Sequence, residues 1–221
     1  VEQKDTNITN EHIEDPILDD EIVDDFPEGA TVAERETITE IAAHYQAILQ
    51  LIGDDPEREG LLKTPLRAAR ALWYATQGNR SGDPADLMRK AIFTHEGSQM
   101  VIVRNIEFYS LCEHHILPFF GTVSVGYVPN GKIVGLSKLA RVVNAVARKL
   151  QVQERMTAEV CRAVERALGP LGVIVTCQAS HLCMQMRGVE KQMASTVTTH
   201  YSGIFETDAA LREEFLRLTS I

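Results

Sequence analysis

No stretch of the 221 residues stays apolar for the length that a membrane-spanning helix needs, and no basic start followed by an apolar core opens the sequence. Neither a membrane partner nor a secretory route is expected. Cysteine is scarce, with Cys112, Cys161, Cys177 and Cys183 alone. Without a secretory pattern, so few thiols argue against a disulfide framework and for a reducing compartment, where they pack or hold metal. The expected location is the cytoplasm. A basic excess is missing too, and no nucleic-acid partner is expected. The net charge is −9, but residues 1–30 hold eleven Asp/Glu against Lys4, a balance of −10 that leaves the rest at +1. The acidity belongs to a tail, and a polyanionic small molecule needs only a local basic cluster. No Pro-Cys-x-x-Cys accompanies a His-x-Glu, which sets aside the nucleobase deaminases.

What is present falls into three parts. Residues 1–30, poor in aromatics and broken by Pro16 and Pro27, read as an acidic, disordered arm. Residues 31–97 read as a helical region. Ile38, Ile41, Ala42, Tyr45, Ile48, Leu49 and Ile52 recur at helical spacing before Gly53, a C-cap. A second helix starts near Thr64 with Pro65 in its first turn, and a short one is expected at Ala85–Ala91. Residues 98–221 then alternate with period two. Val101 and Val103, followed by Ile106 and Phe108, predict a strand bulged near Asn105, and Phe120–Val128 a second. Ser137 caps a helix over Lys138–Leu150, and Val152–Leu168 forms another, closed by Gly169-Pro170. Val173–Met184 and Ser195–Phe205 return to strands, and Asp208–Leu218 ends the chain as a helix that buries Leu211, Phe215 and Leu218. The class is α+β, with the core order β-β-α-α-β-β.

The chemistry concentrates at Cys112-Glu113-His114-His115, in the connection between the first two strands. Cys-x-x-His lets a thiolate and an imidazole reach one metal ion from a tight turn, and zinc accepts both donors. The downstream cluster Ser180-His181-Leu182-Cys183 offers a third ligand. Cys112, His115 and Cys183 would leave a fourth position for water, the mark of a catalytic zinc. Two alternatives stay open at this point: the cysteines are small buried hydrophobes, or Cys177 closes a structural four-ligand site.

Several motifs together resemble the GTP cyclohydrolase I family, from about Glu57 to Leu218. They are Glu59-Gly60-Leu61-Leu62-Lys63-Thr64-Pro65, Cys112-Glu113-His114-His115, Gly135-Leu136-Ser137-Lys138, Gln151-Val152-Gln153-Glu154-Arg155 and His181-Leu182-Cys183-Met184 with Met186-Arg187-Gly188-Val189. The resemblance implies the tunnelling fold, an antiparallel sheet with helices on one face, closed into a barrel by oligomerisation. It implies a homodecamer of two pentamers with active sites between subunits. The implied reaction turns GTP and water into 7,8-dihydroneopterin triphosphate and formate, the entry to pterin, folate and tetrahydrobiopterin biosynthesis. Cys112, His115 and Cys183 are then the Zn2+ ligands, and His181 and His114 the proton carriers. His181 is taken as the main acid and His114 as its assistant, with the reverse assignment open. Glu154 reads guanine, with Gln153 beside it at the substrate. Ser137 meets the ribose, and Lys138, Arg141, Arg187, Arg67 and Arg70 meet the triphosphate. A related tunnelling-fold enzyme with a three-histidine zinc site fits less well, because of the Cys112/Cys183 pair.

Overall fold

Thr31 starts the first helix for a local reason. Its hydroxyl accepts the Glu34 amide at 3.3 Å while the Glu34 carboxylate accepts the Thr31 amide at 2.9 Å, so two donors that the helix cannot satisfy are paired. In this computed structural model, residues 26, 27 and 29–219 are described. The acidic arm expected over 1–30 thus lies outside the described residues, except for its last few positions. Two compact units divide the chain between Arg70 and Ala71.

The first unit holds α1 (Val32–Leu51) and the start of α2 (Thr64–Ala75). Gly53 follows α1 at φ +87°, in the left-handed region that suits a helix stop. Of the expected apolar stripe, Ile38 is fully buried, while Ile48 on α1 and Ile52 just after it are exposed.

The second unit continues with α3 (Pro84–Arg89), β1 (Ile92–Thr94), β2 (Val101–Cys112), β3 (Pro118–Val128), β4 (Lys132–Val134) and α4 (Leu136–Ala147). After these come β5 (Leu150–Gln151), α5 (Gln153–Leu168), β6 (Gly172–His181), α6 (Leu182–Gln185), β7 (Thr196–Gly203), α7 (Ile204–Thr207) and α8 (Ala209–Thr219). Residues 71–97, grouped above with the helical region, fall in this second unit, where α3 packs on α4 and α5. The sheet order is β5-β2-β3-β6-β7, antiparallel except for the short parallel contact of β5 with the end of β2. The bulge in β2 is where alternation predicted it: the register slips between Val103 and Ile106, and Asn105 takes φ +57°. A ribbon of β1 with β4 was not anticipated.

One face of the sheet meets α4 and α5. Phe108, Phe119, Val123, Val125, Tyr127, Val173, Val175 and Cys177 pack there against Leu139, Val142, Val143, Val146, Met156, Val160 and Val164. Each Val, Leu, Phe or Met side chain among these contributes about 1.5–3 kcal/mol of burial. The helices are not confined to that face, as the resemblance implied. The Phe215 ring of α8 lies against Gly126 on the other side, where an added Cβ would sit 2.7 Å from the ring. Among the described residues, no helix is long and apolar enough to cross a membrane.

Four local expectations change. Ser137 lies inside α4 rather than capping it: Gly135 is pinned by its amide to the Ala91 carbonyl and accepts from Lys138, so the helix begins directly after it. That helix ends at Ala147, not Leu150, because Leu150 and Gln151 pair with β2. Strand β6 ends at His181, and Cys183 lies on the helical turn α6. On α8, Phe215 and Thr219 face inward and Leu218 outward, 44 % exposed.

Candidate metal and substrate site

The turn between β2 and β3 is tightly wound. The Cys112 carbonyl accepts the amides of His115 and Ile116, and the Cys112 amide donates to the Leu117 carbonyl at 2.8 Å. Ile116 takes φ +55°, a region that a β-branched residue adopts only under constraint. This folding projects Cys112 and His115 to the same side, with Sγ and Nδ1 3.9 Å apart. Pairing of β3 with β6, with Phe119 opposite His181, brings the end of β6 alongside. The turn α6 then carries Cys183 inward, so that the ligand atoms of Cys112, His115 and Cys183 all lie within 4.8 Å of one another.

That donor set fits a tetrahedral ion. Metal–sulfur bonds of about 2.3 Å and metal–nitrogen bonds of about 2.0–2.1 Å require donors some 3.5–3.8 Å apart, close to the observed spacing. The thiol of Cys183 is pushed up by burial and by the neighbouring Cys112, with Arg187 opposing. A cation among these groups would reverse that preference. Cys177 takes no part: it is fully buried in the core, its thiol pushed up to about 12 by burial. Cys161 likewise is a packing residue, at about 12.

The flanking histidines have different surroundings. His181 is half-buried, its ring stacked on Phe119 at 4.6 Å and 4°. Burial holds its pKa below the usual histidine value, against the charge of Glu154. Its Nε2 lies 2.8 Å from Oε1 of Gln153. Gln153 is 2 % exposed, and its amide nitrogen donates to the carbonyls of Cys177 and Thr196 and to Oγ1 of Thr198. These bonds fix the amide orientation and turn its oxygen to His181. The side chain read above as a substrate contact thus has partners within the fold at both ends of its amide. His114 is exposed, with Nδ1 3.8 Å from Cys112 Sγ. Arg187 reaches His115, its guanidinium 3.2 Å from Nε2.

Glu154 stands exposed in the first turn of α5. Ser137, Lys138 and Arg141 lie on the first turns of α4, and Arg67 and Arg70 on α2 within the first unit. Two contributors escaped the sequence reading. Phe119 is a neighbour of His181 only through strand register, which alternation alone cannot supply. Arg155 was visible as part of a motif, but its contact with Glu113 joins positions 42 apart.

The fold and the cluster define an α+β protein with a candidate three-ligand metal centre beside a half-buried histidine. Comparison with known sequences narrows this. Residues 41–220 match the model of the GTP cyclohydrolase I family. GTP cyclohydrolase 1 of Porphyromonas gingivalis is 52% identical over 187 residues, covering 85% of this chain and 96% of that protein. The Bacteroides fragilis enzyme of the same name is 52% identical over 82% of this chain and 92% of its own length. The Chlorobaculum tepidum enzyme is 51% identical, covering 84% and 82%. The chain belongs to the GTP cyclohydrolase I family.

Proposed function

We propose that this chain converts GTP and water to 7,8-dihydroneopterin triphosphate and formate, with a zinc ion held by Cys112, His115 and Cys183. What carries the reading is the convergence of those three ligand atoms within 4.8 Å in a chain of this family. Zinc supplies a Lewis acid there and lowers the pKa of a water toward ~7, which meets the need for a nucleophile at neutral pH.

The chain's own residues do the rest. Carbon 8 of guanine becomes attackable when nitrogen 7 is protonated, and His181 delivers that proton. With Nε2 committed to Gln153, Nδ1 is the nitrogen left to carry it. His114 assists the later proton transfers that open the ring and release formate. The ribose then rearranges and closes on the freed amine. Glu154, open to solvent, accepts from the ring N–H and the exocyclic amine of guanine, a donor pair that adenine lacks. Ser137 binds the ribose. Lys138, Arg141, Arg187, Arg67 and Arg70 bind the triphosphate, the arginines as bidentate partners.

The same reading extends to assembly as a homodecamer of two pentamers in the tunnelling architecture, with sites shared between subunits. Two features support it. β5 pairs with β2 only at Leu111 and Cys112, and β7 forms the opposite edge, so the sheet presents long open edges. Tyr109, 70% exposed and stacked on Phe120, lies out on the sheet face turned away from α4 and α5. The proposed setting is the cytoplasm, where free thiols stay reduced. Metal analysis paired with a formate-release assay on GTP tests the function. Cys183→Ser is expected to lose both zinc and formate release while its far-ultraviolet circular dichroism is unchanged, since α6 is a short peripheral turn. A zinc-replete, fully active Cys183→Ser protein, or full activity after chelation, refutes it.

A further inference from the structure

Beside the ligand turn, Arg155 makes a set of contacts that the proposed chemistry does not use. Its Nε donates to Oε1 of Gln151 at 2.9 Å, and one terminal nitrogen donates to both the Leu150 carbonyl, at 3.0 Å, and the Glu113 carboxylate, at 2.5 Å. Gln151 is 1 % exposed, and its amide nitrogen is spent on the Val146 carbonyl and the Glu159 carboxylate. Its oxygen is thus held toward Arg155, and the guanidinium is fixed from within the fold before it reaches outward. What it reaches is Glu113, the residue directly after Cys112 and two before His115. The Glu113 amide is tied to the same segment, donating to the Gln151 carbonyl at 3.0 Å.

We propose that Arg155 is a positioning residue for the metal-ligand turn: through the Glu113 carboxylate it holds Cys112 and His115 in the arrangement that receives the ion. The inference rests on the metal reading given above. Three observations lead to it. First, the turn stores strain, since Ile116 sits at φ +55° and is 53% exposed, with little packing to hold it there. A tether on the opposite limb supplies what packing does not. Second, an ion pair this open to solvent does little for global stability: Arg155 and Glu113 side chains are 40% and 34% exposed. Its effect is local. Third, the contact needs the planar fork of arginine, because Nε and a terminal nitrogen address different acceptors at once. A lysine ammonium in the same place cannot span Gln151 and Glu113.

Partners that orient metal ligands typically alter affinity by about 10–100-fold when removed. Two variants approach the pair from its two ends: Arg155→Met keeps the aliphatic stem and removes the fork, and Glu113→Gln keeps the shape and removes the charge. Zn2+ affinity is measured by competition with a chromophoric chelator, alongside thermal unfolding of the metal-free proteins. The thiolate-to-metal absorption of the Co2+-substituted forms reports ligand geometry independently of turnover. Both variants are expected to bind Zn2+ at least about tenfold more weakly with altered Co2+ bands; Glu113→Gln should leave metal-free unfolding close to wild type, whereas Arg155→Met, which also removes the donor to the buried Gln151 oxygen, should lower it. Arg155→Lys is expected to restore less than half of the lost affinity, on a logarithmic scale. Wild-type affinity and bands in both variants overturn the proposal. So does a fall in the metal-free stability of Glu113→Gln that parallels its loss of affinity, which would make the pair a fold contact only. Wild type and Cys183→Ser are measured in the same series. A wild type that binds no Zn2+ sinks the metal reading and this inference with it, whereas a binding wild type with unaffected variants sinks this inference alone.

Discussion

Gln153→Met separates a substrate contact from a side chain that orients a catalytic group. Methionine nearly preserves the volume of a residue that is 2 % exposed, so packing changes little. Four polar contacts disappear: the amide nitrogen's bonds to the Cys177 and Thr196 carbonyls at 3.0 Å and to Thr198 Oγ1 at 3.2 Å, and the oxygen's bond to His181 Nε2 at 2.8 Å. Thr198 keeps its 2.7 Å bond to Thr157, so its loss is the mildest. At about 0.5–1.5 kcal/mol net per bond, the variant loses roughly 2–4 kcal/mol, within the ~5–15 kcal/mol of a typical domain. It should fold, with an apparent Tm lower by about 5–15 °C. His181 remains stacked on Phe119 but no longer has one nitrogen committed, so the fraction of enzyme presenting a competent proton falls. Since general acid catalysis is worth about 10²–10⁴-fold, misorientation short of removal should reduce kcat by about 10–100-fold. KM for GTP should stay within about threefold when Gln153 acts through His181 and not on the substrate itself. In a His181→Ala background, the same substitution should cost kcat nothing further, as expected of residues acting as one unit. A raised KM with kcat intact would refute this reasoning and return Gln153 to the substrate.

Glu154→Gln places an amide donor before the guanine donors and is expected to cost about 2–4 kcal/mol in kcat/KM, read from GTP turnover below saturation; unchanged turnover there would remove Glu154 from base recognition. For assembly, mixing Cys112→Ala and Arg67→Ala proteins under subunit exchange should restore formate release if sites are shared, because some interfaces then pair two intact halves. No recovery from two inactive parents with proven exchange counts against a shared site using Arg67, and a fully active wild-type monomer in sedimentation ends the oligomeric reading.

Sequence periodicity is a local signal, and what it revealed is what local rules control. Alternation with one slipped residue was enough to locate the bulge at Asn105, because a slip changes which face every later side chain takes. Gly169 before Pro170 marked the end of α5, where the chain turns through φ +57°. The limits of α4 were misread because both are imposed from outside the helix, by the Ala91 carbonyl at one end and by β2 at the other. The same distinction runs through the site. Cys112 and His115 are three apart on one turn, so their spacing speaks for itself, whereas Cys183 was placed on an extended strand with His181. Two residues of strand span about 6.6–6.8 Å, and strict alternation would have kept Cys183 level with His181, farther along the sheet. Ending the strand at His181 and winding a helical turn, with a rise of about 1.5 Å per residue, draws Cys183 back toward the opposing turn instead. The break in strand geometry is thus what brings the Cys183 thiol within reach of Cys112 and His115. The first turn of α5 then addresses both halves, with Gln153 on His181 and Arg155 on Glu113, and one residue between them open to solvent. In a short run of consecutive residues, this helix start sets the distance between the two clusters that the sequence could only show separately.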